Sequence, residues 1–147
     1  MNLEVLYTAF NIAVLPCWLL MILAPSWKWT DRIVHTIWIP IALAIWLIVL
    51  EVSRPPTPEG AGFGSLHGVM LLTSGPLGTL AMWTQLMGWD LFVGMWIARD
   101  ARRLKIHHAF VVVCLLTTYV IGPPGALLYF VIRLALRRST TLQEVSA

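Results

Sequence analysis

The feature of this 147-residue chain that most constrains its fold is the distribution of its charges. Four stretches contain no Asp, Glu, Lys or Arg, and they are 23, 18, 30 and 27 residues long (5–27, 33–50, 60–89 and 106–132). A helix needs about 20 apolar residues to cross the hydrocarbon core of a bilayer. The residues outside these stretches suffice only for short loops. The pattern therefore predicts a chain that is surrounded largely by lipid.

Composition supports the same prediction and excludes several other classes of protein. Hydrophobic residues make up 59% of the chain and charged residues 12%, whereas soluble domains are nearer to ~45–50% and ~25%. So many apolar side chains cannot all be buried in a domain this small. A soluble enzyme, a disordered tail and a disulfide scaffold are thereby excluded. The net charge of +3 comes from basic residues at predicted helix ends, which is typical of anchoring at a membrane surface rather than of nucleic-acid binding.

We predict an all-α integral membrane protein with one domain over residues 1–147, built as a bundle of four transmembrane helices with short loops. The helices are predicted at 3–24, 33–50, 77–98 and 109–132. The linker between the second and third helices is rich in Pro, Gly and Ser, and an interfacial helix is predicted in it at 65–73. The expected location is the bacterial inner membrane, with membrane lipids as partners. A homo-oligomer is left open.

The Lys and Arg residues predict an orientation, because short loops rich in them stay on the cytoplasmic side. Four crossings put both termini on one side of the membrane, where four of the ten basic residues would lie. The other six would lie on the side of the loop at 99–105. This division favours that loop inside and both termini outside, although the basic residues near the C terminus argue the other way.

Asp90 is the one acidic or basic residue well inside a predicted crossing. A charged carboxylate at that depth is costly, so we expect Asp90 to face the bundle interior or a wet cavity in its neutral form. A neutral buried acid can donate a proton, as general-acid catalysis requires. The alternative is a structural hydrogen bond between helices. Helical spacing places Trp83, Met87 and Gly94 on the same stripe, and Gly94 would let a helix or a flat ligand approach closely.

Three other polar features stand out within the predicted helices. Asn11 shares a face with Trp18 and hydrogen-bonds a neighbouring helix or, in a functional role, a substrate oxygen or Asp90. Gln85 falls on a different face from the predicted acid, where hydrogen bonding between helices is expected. The GPPG segment at 122–125 breaks the fourth helix, either as a plain kink or as part of a binding site. The His residues do not form the clusters that a di-iron centre needs, so no metal is predicted.

Three segments of the chain resemble the abscisic-acid-deficient-four-like membrane proteins. The segment at 9–25 (AFNIAVLPCWLLMILAP) resembles the opening pattern of the family, and the segment at 83–100 resembles its most characteristic stretch. The run at 122–129 (GPPGALLY) is similar to its closing pattern. The resemblance covers nearly the whole chain in the right order. At one position the chain departs from the family: Gln85 stands where a His is expected, two residues after Trp83, and Gln cannot transfer a proton as His can.

The resemblance implies a small four-helix membrane protein linked to carotenoids. Plant members are needed to form neoxanthin from violaxanthin, an isomerisation in which an epoxide opens and a nearby carbon loses a proton. This reaction needs no redox cofactor, and none is expected. On this hypothesis Asp90 is the acid or positions the substrate. Five residues would hold the end group or the polyene of the substrate: Asn11, Trp18, Trp83, Gln85 and Gly94. The alternative is a non-enzymatic protein that binds a carotenoid or another isoprenoid lipid, or that supports a partner enzyme.

Overall fold

A computed structural model describes residues 2–138, and these residues form helices without any strand. The helices are α1 (Leu3–Leu23), α2 (Lys28–Ile33), α3 (Trp38–Val52), α4 (Leu66–Thr73), α5 (Pro76–Arg103), α6 (His108–Ile121) and α7 (Pro123–Arg137). The all-α prediction is confirmed, and α4 confirms the helix predicted in the linker. Within the described range, α1 is the one helix that is by itself long and apolar enough to cross a membrane. The bundle of four crossings is therefore not confirmed.

The first helix is defined by its cap and by one buried face. The side-chain oxygen of Asn2 accepts hydrogen bonds from the backbone N–H groups of Glu4 and Val5 at 3.1 and 3.4 Å. These bonds satisfy N–H groups that have no partner within the helix, and the acidic Glu4 suits the positive end of the helix dipole. The buried residues recur at helical spacing: Phe10, Val14, Cys17, Trp18 and Met21. This face packs against α5.

The central element is α5, which is in contact with α1, α3, α4, α6 and α7. Its 28 residues extend over about 42 Å. Pro76 stands at the first helical position, where its missing N–H costs nothing, and Arg102 and Arg103 lie in the last turn, where cations are favoured. Small residues on its buried face let the neighbouring helices approach closely: Gly78, Ala81, Gly94, Ala98 and Ala101.

The chain reverses direction between α6 and α7, which corrects the single helix predicted over 109–132. Gly122 adopts φ +77°, and the two prolines that follow it cannot continue the hydrogen bonding of α6. Near the turn Gly125 lies against Thr118, and at the far end the guanidinium of Arg137 donates a hydrogen bond to the carbonyl oxygen of Lys105 at 2.7 Å. The two helices therefore run antiparallel, and we call them the α6–α7 hairpin.

The α6–α7 hairpin reaches only to the middle of α5. The 14 residues of α6 extend over about 21 Å, and Gly122 at the tip lies against Asp90. Both open ends of the hairpin consequently lie beside the C-terminal end of α5. At the opposite end, Leu3 packs against the cluster that contains Leu50 and Leu80. The expectation that both ends of the chain lie on one side is thus wrong for the described range.

A buried polar cluster joins the hairpin to α5. Asp100 is only 6% exposed, and its Oδ2 accepts a hydrogen bond from the Tyr129 hydroxyl at 2.6 Å. The Nε of Arg133 lies 2.9 Å from the same oxygen, and Arg103 donates to Oδ1 at 2.7 Å. The ring of Trp96 packs edge-on against that of Tyr129. Because an uncompensated buried charge is costly, this cluster fixes the position of the hairpin along α5.

Candidate functional site

A cavity of about 490 Å³ lies between α1 and α5, at the tip of the α6–α7 hairpin. We call it the tip cavity. Both long helices and the end of α6 contribute its lining: Tyr7, Thr8, Asn11, Ile12, Leu15, Trp83, Met87, Tyr119 and Val120. The last two residues belong to the hairpin, so the turn at Gly122 determines where the cavity ends. Its lining residues are mostly aromatic or aliphatic, and none of them carries a charge.

Two of the predicted binding residues meet at the tip cavity. The indole Nε1 of Trp83 donates a hydrogen bond to Oδ1 of Asn11 at 3.3 Å. The amide nitrogen of Asn11 donates in turn to the carbonyl oxygen of Tyr7 at 2.8 Å. The rings of Tyr7 and Trp83 also lie together, with centroids 5.9 Å apart. Since an amide has two hydrogens and two lone pairs, Asn11 is held in place and still has capacity to bind a polar group in the cavity.

The carboxyl group of Asp90 lies against the hairpin tip. A Cβ atom at Gly122 would be only 2.8 Å from Oδ1 and 3.3 Å from Oδ2, so Gly122 must lack a side chain for this contact to exist. Asp90 follows Met87, which lines the tip cavity, by about one turn of α5. The carboxyl is half-buried and forms no hydrogen bond or ion pair with any residue between 2 and 138. Asp90 is not itself a lining residue of the tip cavity. This acid, which has no partner among residues 2–138, lies at the hairpin tip about one helical turn from Met87.

Trp18 and Gly94 contact each other and do not line the tip cavity. A Cβ at Gly94 would lie 2.7 Å from Cη2 of Trp18, so the close approach predicted at this glycine is made by the indole ring. Trp18 is 1% exposed, and its ring packs edge-on against Tyr119 with centroids 5.3 Å apart. Its Nε1 is buried and has no hydrogen-bond partner in the described part of the chain. Trp18 thus contributes to the tip cavity indirectly, because it packs against Tyr119, which lines it.

Gln85 lies on another side of α5, away from the tip cavity. It faces a separate apolar groove of about 360 Å³ between α3 and α5. The groove is lined by residues of both helices: Pro40, Leu43, Ala44, Leu47, Thr84, Gln85, Gly88, Trp89 and Phe92. The prediction that Gln85 shares a site with Asn11 and Trp83 therefore does not agree with where the structure places it.

Sequence reasoning did not single out Tyr7 and Tyr119, although both line the tip cavity. The spacing of Tyr7 and Asn11, four residues apart in α1, is a signal that could have identified the first, because such residues are neighbours on a helix surface. Tyr119 could be assigned only once the reversal at Gly122 was known. The glycine itself was noted as part of a helix break, without its contact with Asp90.

The arrangement suits an elongated apolar molecule with a small polar end group. Aromatic faces pack well on flat apolar ligands, and a few polar groups in a largely apolar pocket give orientation and specificity. Asn11 provides an amide for the polar end, and Asp90 provides the nearby acid. The cavity volume lies within the range of ~300–1,000 Å³ that is usual for small-molecule sites.

Comparison with known proteins identifies a family. The family model described as ABA DEFICIENT 4-like matches residues 5–129. No curated protein and no solved structure matches the chain. The matched region contains the whole lining of the tip cavity, Asp90 and the turn of the hairpin. The chain belongs to the ABA DEFICIENT 4-like family.

Proposed function

We propose that this chain is an integral membrane protein that binds a carotenoid in the tip cavity and isomerises an epoxide at the end of its polyene. Family membership supports a carotenoid-related function at the level of the family. The observation that carries the proposal is the carboxyl of Asp90, which has no partner among residues 2–138 and lies about one helical turn from an uncharged cavity of mostly aromatic and aliphatic residues. An acid in such surroundings is unusual unless it has a function.

Several features support a membrane location. Helix α1 has the length and hydropathy of a membrane span. Large apolar side chains are exposed on the outer faces of the helices, for example Ile12 at 63%, Val52 at 81% and Trp89 at 62%. Apolar helices of 10–14 residues, such as α6, are too short to cross a bilayer and occur either as buried core helices or as segments that enter the bilayer without crossing it. Helices α1 and α5 run between the two ends of the fold, and α3 returns the chain from α2 to the end where Leu50 packs with Leu3. On this geometry we propose that α1, α3 and α5 cross the bilayer of the bacterial inner membrane and that the α6–α7 hairpin enters it halfway.

The proposed reaction leaves the proton count unchanged. The protonated Asp90 carboxyl gives its proton to the epoxide oxygen as the carbon–oxygen bond breaks. The resulting carboxylate takes a proton from a neighbouring polyene carbon, which leaves an alcohol and an allene. One carboxyl can therefore act first as the acid and then as the base. Gln85 is not needed on this route, since it lies in the separate groove on α5.

The second candidate is carotenoid binding without turnover. It is favoured by one observation, namely that both carboxyl oxygens of Asp90 lie within 3.3 Å of the position that a Cβ at Gly122 would occupy. In this case Asp90 braces the hairpin tip, and Asn11 alone binds the polar end of the pigment.

Product analysis in a carotenoid-producing host tests the proposal. We expect Asp90→Asn and Asp90→Ala to abolish isomerisation while the amount of protein in the membrane stays the same. Gln85→Ala is the matched control on the other side of α5, and it should retain activity. Full activity in both Asp90 variants would contradict the catalytic role.

The absorption spectrum of the detergent-purified protein separates the two candidates. If the host that expresses the wild-type protein yields bound pigment but no isomerised product, binding alone is favoured. Bound pigment together with an isomerised product favours catalysis. Asn11→Leu should lower the amount of bound pigment in either case, because it removes the amide at the polar end of the cavity. Absence of both pigment and product would refute both candidates.

A further inference from the structure

The Lys and Arg residues are gathered at one end of the fold. The chain has ten of them, all within the described range 2–138. Nine lie at the end where α1 and α5 finish, α6 begins and the hairpin returns: Lys28, Arg32, Arg99, Arg102, Arg103, Lys105, Arg133, Arg137 and Arg138. We call this the basic end. In the described range, only Arg54 lies at the opposite end of the fold.

Contacts between helices establish that the basic end is one continuous region. Arg102, at the end of α5, donates a hydrogen bond to the carbonyl oxygen of Pro25 at 2.9 Å and forms a two-pronged ion pair with Asp31 of α2. Arg137, at the end of α7, donates to the carbonyl oxygen of Lys105 at 2.7 Å. The ends of α1, α2, α5 and α7 are thereby joined at the same level.

Acidic residues have the opposite distribution. Glu4, Glu51 and Glu59 lie at the end of the fold that holds the start of α1 and the linker, where Glu51 pairs with Arg54 at 2.8 Å. Only Asp31 and Asp100 among the described acids lie at the basic end. One end thus has nine basic and two acidic residues, and the other has one basic and three acidic residues. Arg133 is buried against Asp100, so the other eight basic residues provide the charge at the surface of the basic end.

Two tryptophans accompany the basic end. Trp27 and Trp29 are 50% and 42% exposed, and the guanidinium of Arg32 lies over the Trp29 ring at 5.2 Å from its centroid. Exposed tryptophans next to cationic side chains are typical of the boundary between hydrocarbon and headgroups. The basic end therefore combines aromatic anchors at the edge of the apolar surface with charges beyond it.

We propose that the basic end binds the anionic lipid headgroups of the cytoplasmic leaflet, so that residue 2 and the linker at 53–65 lie on the opposite face of the membrane. Short segments rich in Lys and Arg are retained on the cytoplasmic side, and anionic lipids attract them there. The inference rests on the proposed membrane location but on no part of the carotenoid chemistry. The sequence alone predicts six basic residues on one side of the membrane and four on the other, on the assumption that residues 109–132 cross as one helix. The reversal at Gly122 changes this division to nine and one.

Cysteine accessibility tests this orientation. Cys17 and Cys114 are buried and are first replaced by Ala. A single cysteine is then introduced at Gly64 in the linker or at Ser26 at the basic end, both of which are exposed. A membrane-impermeant maleimide should label Gly64→Cys in intact bacterial cells and Ser26→Cys only in inverted vesicles. The reverse pattern, or labelling of both positions from one face, overturns the proposal.

A charge exchange tests the role of the anionic leaflet. In the Gly64→Cys background, Lys28→Gln and Arg32→Gln are combined with Thr57→Lys and Glu59→Lys. The number of Lys and Arg residues then changes from nine to seven at the basic end and from one to three at the opposite end. We expect labelling from outside intact cells to fall at least two-fold, because part of the population inserts in the other orientation. The matched control carries Thr57→Gln and Glu59→Gln and keeps all nine basic residues of the basic end. Its labelling should equal that of the parent Gly64→Cys variant.

Two further outcomes would overturn the proposal in distinguishable ways. If the charge-exchanged variant labels like the parent, the basic residues do not set the orientation, although the membrane location stands. If the wild-type protein is released from membranes by alkaline carbonate, the membrane location itself fails, and the proposed function fails with it.

Discussion

Replacing Asp100 by Asn removes one negative charge from the most buried ionic contact that the structure describes. The carboxylate is 6% exposed, and Arg133, which lies 2.9 Å from it, is 1% exposed. Removing one partner of a buried ion pair costs about 3–5 kcal/mol, because the other charge stays in surroundings of low dielectric constant. The side chain of Arg103, the second partner, is 32% exposed and can be hydrated instead. We therefore expect a loss near the lower limit, about 3 kcal/mol.

Asp31→Asn is the matched control for this prediction. It makes the same chemical change in a carboxylate that also pairs with an arginine, Arg102, at 2.5 Å, but that is 51% exposed. Exposed ion pairs contribute at most about 1 kcal/mol. Thermal unfolding in mild detergent, followed by tryptophan fluorescence, should show a fall in Tm of about 10 °C for Asp100→Asn and below about 4 °C for Asp31→Asn. Equal losses in the two variants would refute the assignment of Asp100 as the buried anchor of the hairpin.

Two further predictions concern pH and packing. Burial lowers the pKa of His35 below its usual 6.5, so the unfolded chain binds more protons at this residue than the folded chain. The free energy of unfolding should therefore fall as the pH drops below 6.5. His35→Gln should make the melting temperature less dependent on pH in this range. An unchanged profile in that variant would show that His35 is not responsible. Gly125→Ala places a Cβ 2.3 Å from the backbone nitrogen of Thr118 and should lower the free energy of unfolding by about 1–3 kcal/mol. In the control Gly88→Ala, the new Cβ meets Leu43 at an ordinary 3.5 Å, so the Tm should change little. Similar melting temperatures for the two glycine variants would contradict the close antiparallel packing of α6 and α7.

The helical class and the positions of α1 and α3 could be predicted because charge-free stretches of this length are typical of apolar helices. The start of α5 was predicted to within one residue, but the helix continues to Arg103, five residues past its predicted end. The hairpin could not be predicted in the same way. Residues 106–132 have the same apolar character whether they form one long helix or two short ones. The reversal depends on the positive φ of Gly122 and on its contact with Asp90, which is distant in sequence.

Part of the candidate site could also be predicted from the sequence. Asn11 and Asp90 stand out as polar residues in apolar surroundings. The structure places Asn11 in the lining of the tip cavity and Asp90 against Gly122, about one helical turn from the cavity residue Met87. Asp100 gave no such signal, because it is followed by arginines and resembles an acid on a solvated helix end. Its burial arises only when the returning hairpin brings Tyr129 and Arg133 against it.

The α6–α7 hairpin extends only to the middle of α5, and this determines where a ligand can enter the tip cavity. Beyond the turn at Gly122, no other helix within residues 2–138 covers the side of the tip cavity between α1 and α5. The residues around this opening are exposed, with Tyr7 at 41%, Ile12 at 63% and Val120 at 74%. In the membrane location proposed above, the opening of the tip cavity therefore faces sideways, toward the acyl chains. A long hydrophobic molecule dissolved in the bilayer can slide in along the membrane plane and leave by the same route without ever passing through water.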